Sequence, residues 1–311
     1  MFTFERYTPE REKEWNLFVH KARNATFLFH RNYMDYHANR FVDWSVMIFR
    51  GKKLYALLPA HRCDNTLCSH MGLTYGGLAV DHQSTAAQML TLFDELNDFL
   101  RQAGFKHVLY KTVPHIYHKQ PAEEDLYAMF WQCKAQLATR NIGTVIPLQQ
   151  PLPWRRNQKR LLALAHRMHI HIKVDDDISR FWPILQANLH NRFNATPVHT
   201  LSEMLLLKSR FPQNIILYGA YCGEEMVGGL LFYITPQVLH GQYSATNDTG
   251  KTCGAMEAIY DQAIKDYPNM LYLDFGSSTQ QQNSQLNEGL IHHKEGYGGR
   301  AVCYDTYEWY L

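Results

Sequence analysis

Apolar positions along the chain recur at two periods, and each period predicts its own kind of element. Trp15, Phe18 and Val19 fall at helical spacing within Pro9 to Arg23. Thr8 stands ahead of them as an N-cap and Pro9 takes the first helical position. A second helix is predicted from Arg31 to Arg40. Trp44 to Arg50 and Lys53 to Arg62 then read as two strands joined by a Gly51-Lys52 turn, and Asp64-Asn65 turns the chain into Thr66 to Met71. Helical spacing returns from Ser84 to Gln102, where Leu90, Phe93, Leu96 and Leu100 share one side and Gly104 closes the segment. His107 to Thr112 is a short buried strand, and Glu123 to Cys133 a further helix.

Three prolines and two glutamines within residues 147–153 mark a change of composition, so a domain boundary is expected there, between 1–148 and 149–311. Beyond it the pattern predicts helices at Trp154 to Met168, Ile178 to Arg192 and Leu201 to Lys208, with a strand at His169 to Val174. Three antiparallel strands follow at Ile215 to Cys222, Met226 to Ile234 and Val238 to Thr246. A helix from Thr252 to Asp266, a strand from Leu271 to Phe275, a helix from Gln282 to Ile291 and a strand from Val302 to Leu311 complete the chain. The final strand is free to return to the first domain. Both halves run helices, antiparallel strands, then helix and strand, which is α+β grammar used twice.

Composition narrows the class. The 311 residues are 46% apolar and 19% charged, enough for a sizeable core. Lys and Arg number 31 against 29 Asp and Glu, so no global field favours DNA. No apolar run is long enough to cross a bilayer, and the amino terminus lacks the layout of a signal peptide. Six cysteines form no dense disulfide framework, which predicts a cytoplasmic protein.

Four features carry candidate chemistry. The first is Tyr243 to Thr252, ending in Gly250-Lys251-Thr252 between a strand and a helix like a phosphate loop with Ala245 in place of its first glycine, and with Asp274 placed as an acidic strand residue. The chain ends too soon after Thr252 for the parallel sheet of a nucleotide triphosphatase. The better reading is a helix start whose N–H groups meet an anion, and the bland one an exposed turn.

The second is the acid-free stretch from Leu126 to Val174. There Arg156, Arg160 and Arg167 share one helix side, while Leu161, Leu164, Ala165 and Met168 face the core. Contact with phosphates competes with an ordinary solvated face. The third is a hairpin pairing His61 with Cys68 and Cys63 with Thr66, with His70 on the same face. Its spacing fits no standard zinc module, and no metal is expected. The fourth is Asp274-Phe275-Gly276, then Asn287, Gly289 and Leu290, then Lys294-Glu295-Gly296-Tyr297-Gly298-Gly299. Lys294 offers a cation for an oxyanion, and Tyr297 a hydroxyl able to return a proton.

This last order of residues resembles the carboxy-terminal signature of the Fem-type aminoacyl transferases and their relatives in the GNAT acyltransferase superfamily. The basic segment Arg155 to Arg167 running into His169 to Val174 is similar to that group's basic helix and next strand. Gly72-Leu73-Thr74-Tyr75-Gly76-Gly77-Leu78 stands where the group has a glycine-containing strand end. The resemblance implies two tandem GNAT-like domains, with mixed, mostly antiparallel sheets carrying helices on both faces. It implies a donor lying between two parted strands, here Val238 to Thr246 and Leu271 to Phe275. The donor phosphates would meet Thr249, Gly250, Lys251, Thr252 and Gly254.

The activity so implied is N-acyl transfer from acyl-CoA or aminoacyl-tRNA to an amine on a small molecule or a cell-envelope or polysaccharide precursor. The near-neutral charge balance leans toward acyl-CoA, with tRNA as the other candidate partner. Lys294 would stabilise charge, Tyr297 or Tyr243 would donate a proton, and Arg156, Arg160 and Tyr75 would meet the acceptor. A binding module of the same fold without turnover is the alternative.

Overall fold

The computed structural model describes residues 1–280 and 285–311, and in it the chain divides into two units. One comprises Met1–Asn141 with Cys303–Leu311, the other Ile142–Val302. The division falls a few residues before the proline-rich stretch expected to mark it.

The first unit holds β1 (Phe2–Arg6), α1 (Glu12–Lys21), α2 (Arg31–Met34), β2 (Val42–Asp43), β3 (Val46–Arg50), β4 (Lys53–Leu58), β5 (His61–Cys63), β6 (Thr66–Cys68), β7 (Ala79–Val80), α3 (Ala86–Gln102), β8 (His107–Lys111) and α4 (Glu124–Ala128). β1, β3, β4 and β7 form one antiparallel sheet. β5 pairs antiparallel with β2 and β6, and β6 runs parallel to β8. The core of this unit is set by α3, whose periodic Met89, Leu92, Phe93, Leu96 and Leu100 are buried. Each such side chain contributes about 1.5–3 kcal/mol on leaving water. Gly104 ends the segment in the left-handed region at φ +83°, a conformation glycine adopts without strain.

Three expectations for this unit change. The first helix opens with a 3-10 turn at Pro9–Arg11, and the expected Arg31–Arg40 helix stops at Met34, followed by 3-10 turns kinked at His37. The helix after Glu123 passes into a π-helical turn at Met129–Cys133. The strand Phe2–Arg6 was not anticipated, since five residues beside a terminus offer little periodicity.

The strand β9 (Gln136–Pro147) leads into the second unit. There follow α5 (Arg156–Arg167), β10 (His171–Asp175), α6 (Ile178–Phe193), α7 (Leu201–Arg210), β11 (Ile215–Cys222), β12 (Glu225–Ile234), β13 (Val238–Thr246), α8 (Asp248–Cys253), α9 (Ala255–Asp266), β14 (Tyr272–Ser277), α10 (Glu288–Glu295) and β15 (Arg300–Tyr310). Of the helix expected from Gln282 to Ile291, residues 282–284 lie outside the described residues. The carboxy-terminal part of β15 belongs to the first unit, where it pairs antiparallel with β8.

β10 to β13 form an antiparallel meander, in which alternation along β12 sends its side chains to opposite faces. Leu230 and Phe232 join α9 residues Ala258 and Ile259 in one core. On the other face Tyr233 donates its hydroxyl to the sulfur of Met204 on α7. Gly229 on β12 leaves room for Phe181 of α6, whose ring a Cβ there would meet at 2.5 Å. The second unit is thus a mixed sheet with helices on both faces.

On α5 the buried positions are Gln158 and Ala165, while Met168, expected in the core, is exposed. The expected Thr252–Asp266 helix begins earlier and is broken by Gly254, at φ +81°, into α8 and α9. A Cβ at Gly254 would stand 2.2 Å from the Leu161 carbonyl of α5, so this glycine permits close helix approach.

Candidate functional site

The second unit is built around a fork in its sheet. β13 runs parallel to β14 over only three residue pairs, Val238–Tyr272, Leu239–Leu273 and His240–Asp274. Beyond His240 the two strands part. β13 stays with β12 as far as Thr246, while β14 pairs antiparallel with β9. Where they part, Leu231 lies opposite Tyr243 and Phe232 opposite Gly241, so Gln242 is an extra residue, a β-bulge. Asp274, with no exposed surface, fixes the crotch of the fork. It is 2.7 Å from His240 Nδ1 and accepts the Gly276 amide at 2.8 Å.

A cleft of about 360 Å³ opens at the fork, and its lining is drawn from α5, α6, β13, α8, α9, β14 and α10. Two further hollows, of about 340 and 430 Å³, share Arg192 with it. The smaller runs along α6 to Asp248 and Lys251, and the larger reaches Asn287 and Gly289.

Lys294, 7% exposed, lines the cleft from α10. Its ammonium donates to the carbonyls of Gly276 at 2.9 Å and Ser277 at 2.7 Å, at the end of β14. An ammonium has three protons, so one remains for a ligand. Burial lowers its pKa to about 8, partly opposed by Asp274. Beside it His293 is held below the ordinary imidazole value by burial, then by Arg192, Lys294 and His292, so its ring is mostly neutral at pH 7. Glu257 of α9, 4% exposed, lines the same cleft and accepts the Tyr297 hydroxyl at 2.9 Å. Burial raises its pKa against the effect of that bond.

The residues singled out in the sequence are distributed unevenly about this cleft. Lys294, Gly250 and Lys251 line it. Tyr297 has no exposed surface; its hydroxyl is committed to Glu257, and burial raises its pKa well above the usual phenol. Tyr243 turns the other way, its hydroxyl 2.7 Å from His199 Nδ1 and its ring edge-on to Trp182 of α6. Thr249 is exposed, and Thr252 turns its hydroxyl back to the carbonyls of Asp248 and Thr249.

The amides of Gly250, Lys251 and Gly254 already have acceptors, in the Asn247 side chain, the Asn247 carbonyl and the Gly250 carbonyl. Gly250 is also a packing glycine, since a Cβ there would stand 2.1 Å from the Val227 carbonyl. Arg156 and Arg160 are exposed on α5, and Tyr75 lies in the first unit, 2% exposed, its hydroxyl 2.7 Å from that of Thr26.

In the first unit the His61–Cys68 and Cys63–Thr66 pairings occur as read from the sequence, while His70 leaves the strand at φ 51°. Among the described residues no group of three or more His, Cys, Asp or Glu is arranged to hold a metal ion. Among them, too, no helix is long and apolar enough to cross a membrane. Sequence reasoning passed over Glu257, His293, Arg192 and Asn188, which lie in no local motif and meet only through the fold. The one sequence signal for Glu257 was an acid amid the apolar residues of an amphipathic helix.

No family model matches the chain, and no curated protein does. Solved structures share its fold. FemX aligns with a TM-score of 0.71 at 10% identity, over 99% of this chain and 97% of its own. L-PGS from Bacillus licheniformis aligns with a TM-score of 0.61 at 10% identity, over 97% and 92%. A tandem GNAT protein from the clavulanic acid biosynthesis pathway gives 0.54 at 11% identity, over 100% and 98%. The chain therefore has the tandem GNAT fold. Within that class its likeness extends to the Fem-type architecture over nearly its whole length.

Proposed function

We propose that the chain is an N-acyltransferase, moving an acyl or aminoacyl group from acyl-CoA or aminoacyl-tRNA to an amine. A small molecule or a cell-envelope or polysaccharide precursor would carry that amine. One observation carries this reading: the parting of β13 from β14 after His240, with a cleft opening where they separate. Past His240 the edge of β13 that faced β14 has no strand beside it among the described residues, and such an edge pairs with an extended ligand arm. The arm would reach the cleft past Gly241, and its phosphates would meet Lys251 and the helix start at Thr249, Gly250, Thr252 and Gly254.

Transfer needs an amine held against an activated carbonyl, charge stabilisation for the oxyanion, and a destination for the amine's proton. Lys294 supplies the charge through its remaining N–H. Neutral His293, on the same helix and in the same cleft, receives the proton as the new C–N bond forms, and the tetrahedral oxyanion collapses with cleavage of the donor's C–S or C–O bond, releasing coenzyme A or tRNA. Tyr297 acts through its bond to Glu257, and Tyr243 through its bond to His199. Arg156 and Arg160, exposed on α5, are kept as candidates for the acceptor.

A thermal-shift series tests the reading. Acetyl-CoA or a longer thioester is expected to raise the melting temperature of an acyl-CoA enzyme, and a stabilised aminoacyl-tRNA that of an aminoacyl transferase. One observation favours a second reading, a binding module without turnover: three of the amides expected to hold phosphates are already bonded. Silence toward both donors would select it.

A further inference from the structure

We propose that Glu257 reads a primary ammonium group on the ligand of the forked cleft. The inference rests on the transferase reading for its place in a reaction, but the binding it describes stands on the residues alone.

A carboxylate nearly out of contact with water is expected to have a cationic partner, because an isolated buried charge is costly. Glu257 has none among the described residues. Its one side-chain hydrogen bond comes from the neutral hydroxyl of Tyr297, and no Lys, Arg or His contributes to its electrostatic surroundings. Of the cations that line the cleft, Lys294 is bonded to two carbonyls near Asp274, and neither Arg192 nor Lys251 is among the groups that act on the Glu257 carboxyl.

The walls around Glu257 suit a cation as well. Tyr260, Phe275 and Tyr297 form an aromatic cluster, with ring centroids 4.8 Å apart for Tyr260–Tyr297, 4.9 Å for Tyr260–Phe275 and 5.5 Å for Phe275–Tyr297. Tyr260 and Phe275 line the cleft with Glu257. Aromatic faces beside a carboxylate attract alkylammonium groups. Tyr297, fixed between Trp154 and this cluster, holds the carboxylate in place. The cleft therefore offers an ammonium of Lys294 to an electron-rich oxygen and a carboxylate to a cationic nitrogen. An α-aminoacyl donor carries both groups; with a plain acyl donor, the ammonium is that of the acceptor before it loses its proton.

Calorimetric titration of the whole protein tests this with three probes: alanine amide, N-acetylalanine amide and n-propylamine. Alanine amide is expected to bind at least about tenfold more tightly than its acetylated form, as for a charge-assisted hydrogen bond, and Glu257→Gln to abolish that difference. Glutamine keeps an acceptor for the Tyr297 hydroxyl, and an unchanged melting temperature would show the variant folded. Alanine amide binding without coenzyme A would put the ammonium on the donor; propylamine binding only with coenzyme A present would put it on the acceptor. Either result supports the proposal. Equal binding of acetylated and free amines by the native protein, or undiminished preference in Glu257→Gln, overturns it. Turnover separates the two ideas. Ammonium-dependent binding without transfer sinks only the transferase reading, and transfer unaffected by Glu257→Gln sinks only the role of Glu257.

Discussion

The two units of the chain contain matching pairs of groups in different surroundings, Lys111 and Asp125 half-buried, Lys294 and Glu257 buried. In the first unit Lys111 donates to the carbonyls of Met71 and Leu73, and the Tyr110 hydroxyl donates to Asp125 at 2.7 Å. In the second, Lys294 donates to two carbonyls and the Tyr297 hydroxyl to Glu257. Both lysines are pushed down to about 8, each chiefly by burial. What differs is what lies beside them. Lys111 faces Cys68, His61 and His70, and the Tyr110 oxygen also accepts the Leu78 amide at 2.7 Å. Lys294 and Glu257 face a cleft. A perturbed lysine is therefore no marker of chemistry by itself; Lys294 is the one that lines a described cleft together with a buried carboxylate.

The sharpest way to break this comparison is to remove each lysine in turn. Lys294→Ala is expected to lower turnover by roughly 100- to 1000-fold, in the range found for losing one oxyanion partner. Lys111→Ala is expected to lower the melting temperature while leaving turnover of the folded protein near that of the native one. Steady-state rates alongside melts would show it, and equal loss of rate in both variants would collapse the distinction. In the native protein, if the proposed transfer takes place, turnover that needs the Lys294 ammonium is expected to fall as pH rises through about 8.

A smaller effect is expected from the histidines around Lys111. His61, His70 and Phe41 pack together, with ring centroids 4.7 Å apart for Phe41–His61, 5.2 Å for Phe41–His70 and 5.5 Å for His61–His70. Burial, then neighbouring charges, lowers His61 to about 4 and His70 to about 2. Their folded values lie below the ordinary 6.5, so the unfolded chain binds protons more readily. The stability that depends on their neutrality is complete above about pH 6.5 and is lost as pH falls, down to about 4 for His61 and about 2 for His70. Melting curves between pH 7 and 4 should fall less steeply for His70→Asn than for the native protein, since asparagine tolerates the left-handed backbone there. Parallel curves would remove His70 from the account. Smallest of all is Arg140→Ala. Its two bonds to Asp305 are 2.8 Å long but lie in solvent, so the melting temperature should hardly change.

Much of the fold was legible because burial writes itself into periodicity. Ile215–Cys222 and Val238–Thr246 have the bounds that alternation predicts, and the His61–Cys68 register follows from a two-residue turn. β9 was invisible for the opposite reason. Its first residues, including Thr139, Arg140 and Asn141, are half-buried or exposed and carry no apolar alternation, although the strand goes on to pair with β14. The site was legible where a single residue signalled by itself, as Lys294 did within its glycine-rich surroundings. It was not legible at Arg192, Glu257 and His293, which reach one cleft from three separate helices. In the Gly250-Lys251-Thr252 run the glycine also has a packing role that the motif does not reveal, since a Cβ there would stand 2.1 Å from the Val227 carbonyl.

The bulge at Gln242 reverses the parity of β13. Leu239 and Tyr243 are four residues apart and would share a face on a regular strand. Instead Leu239 joins the core on the α9 side, while the Tyr243 ring stands against Trp182 on the other. The strand thereby presents Ser244 and Thr246 to the cavity. One supernumerary residue, rather than any choice of side chain, decides which half of the strand's sequence faces the cavity, so a deletion at this point would exchange one set of wall residues for the other.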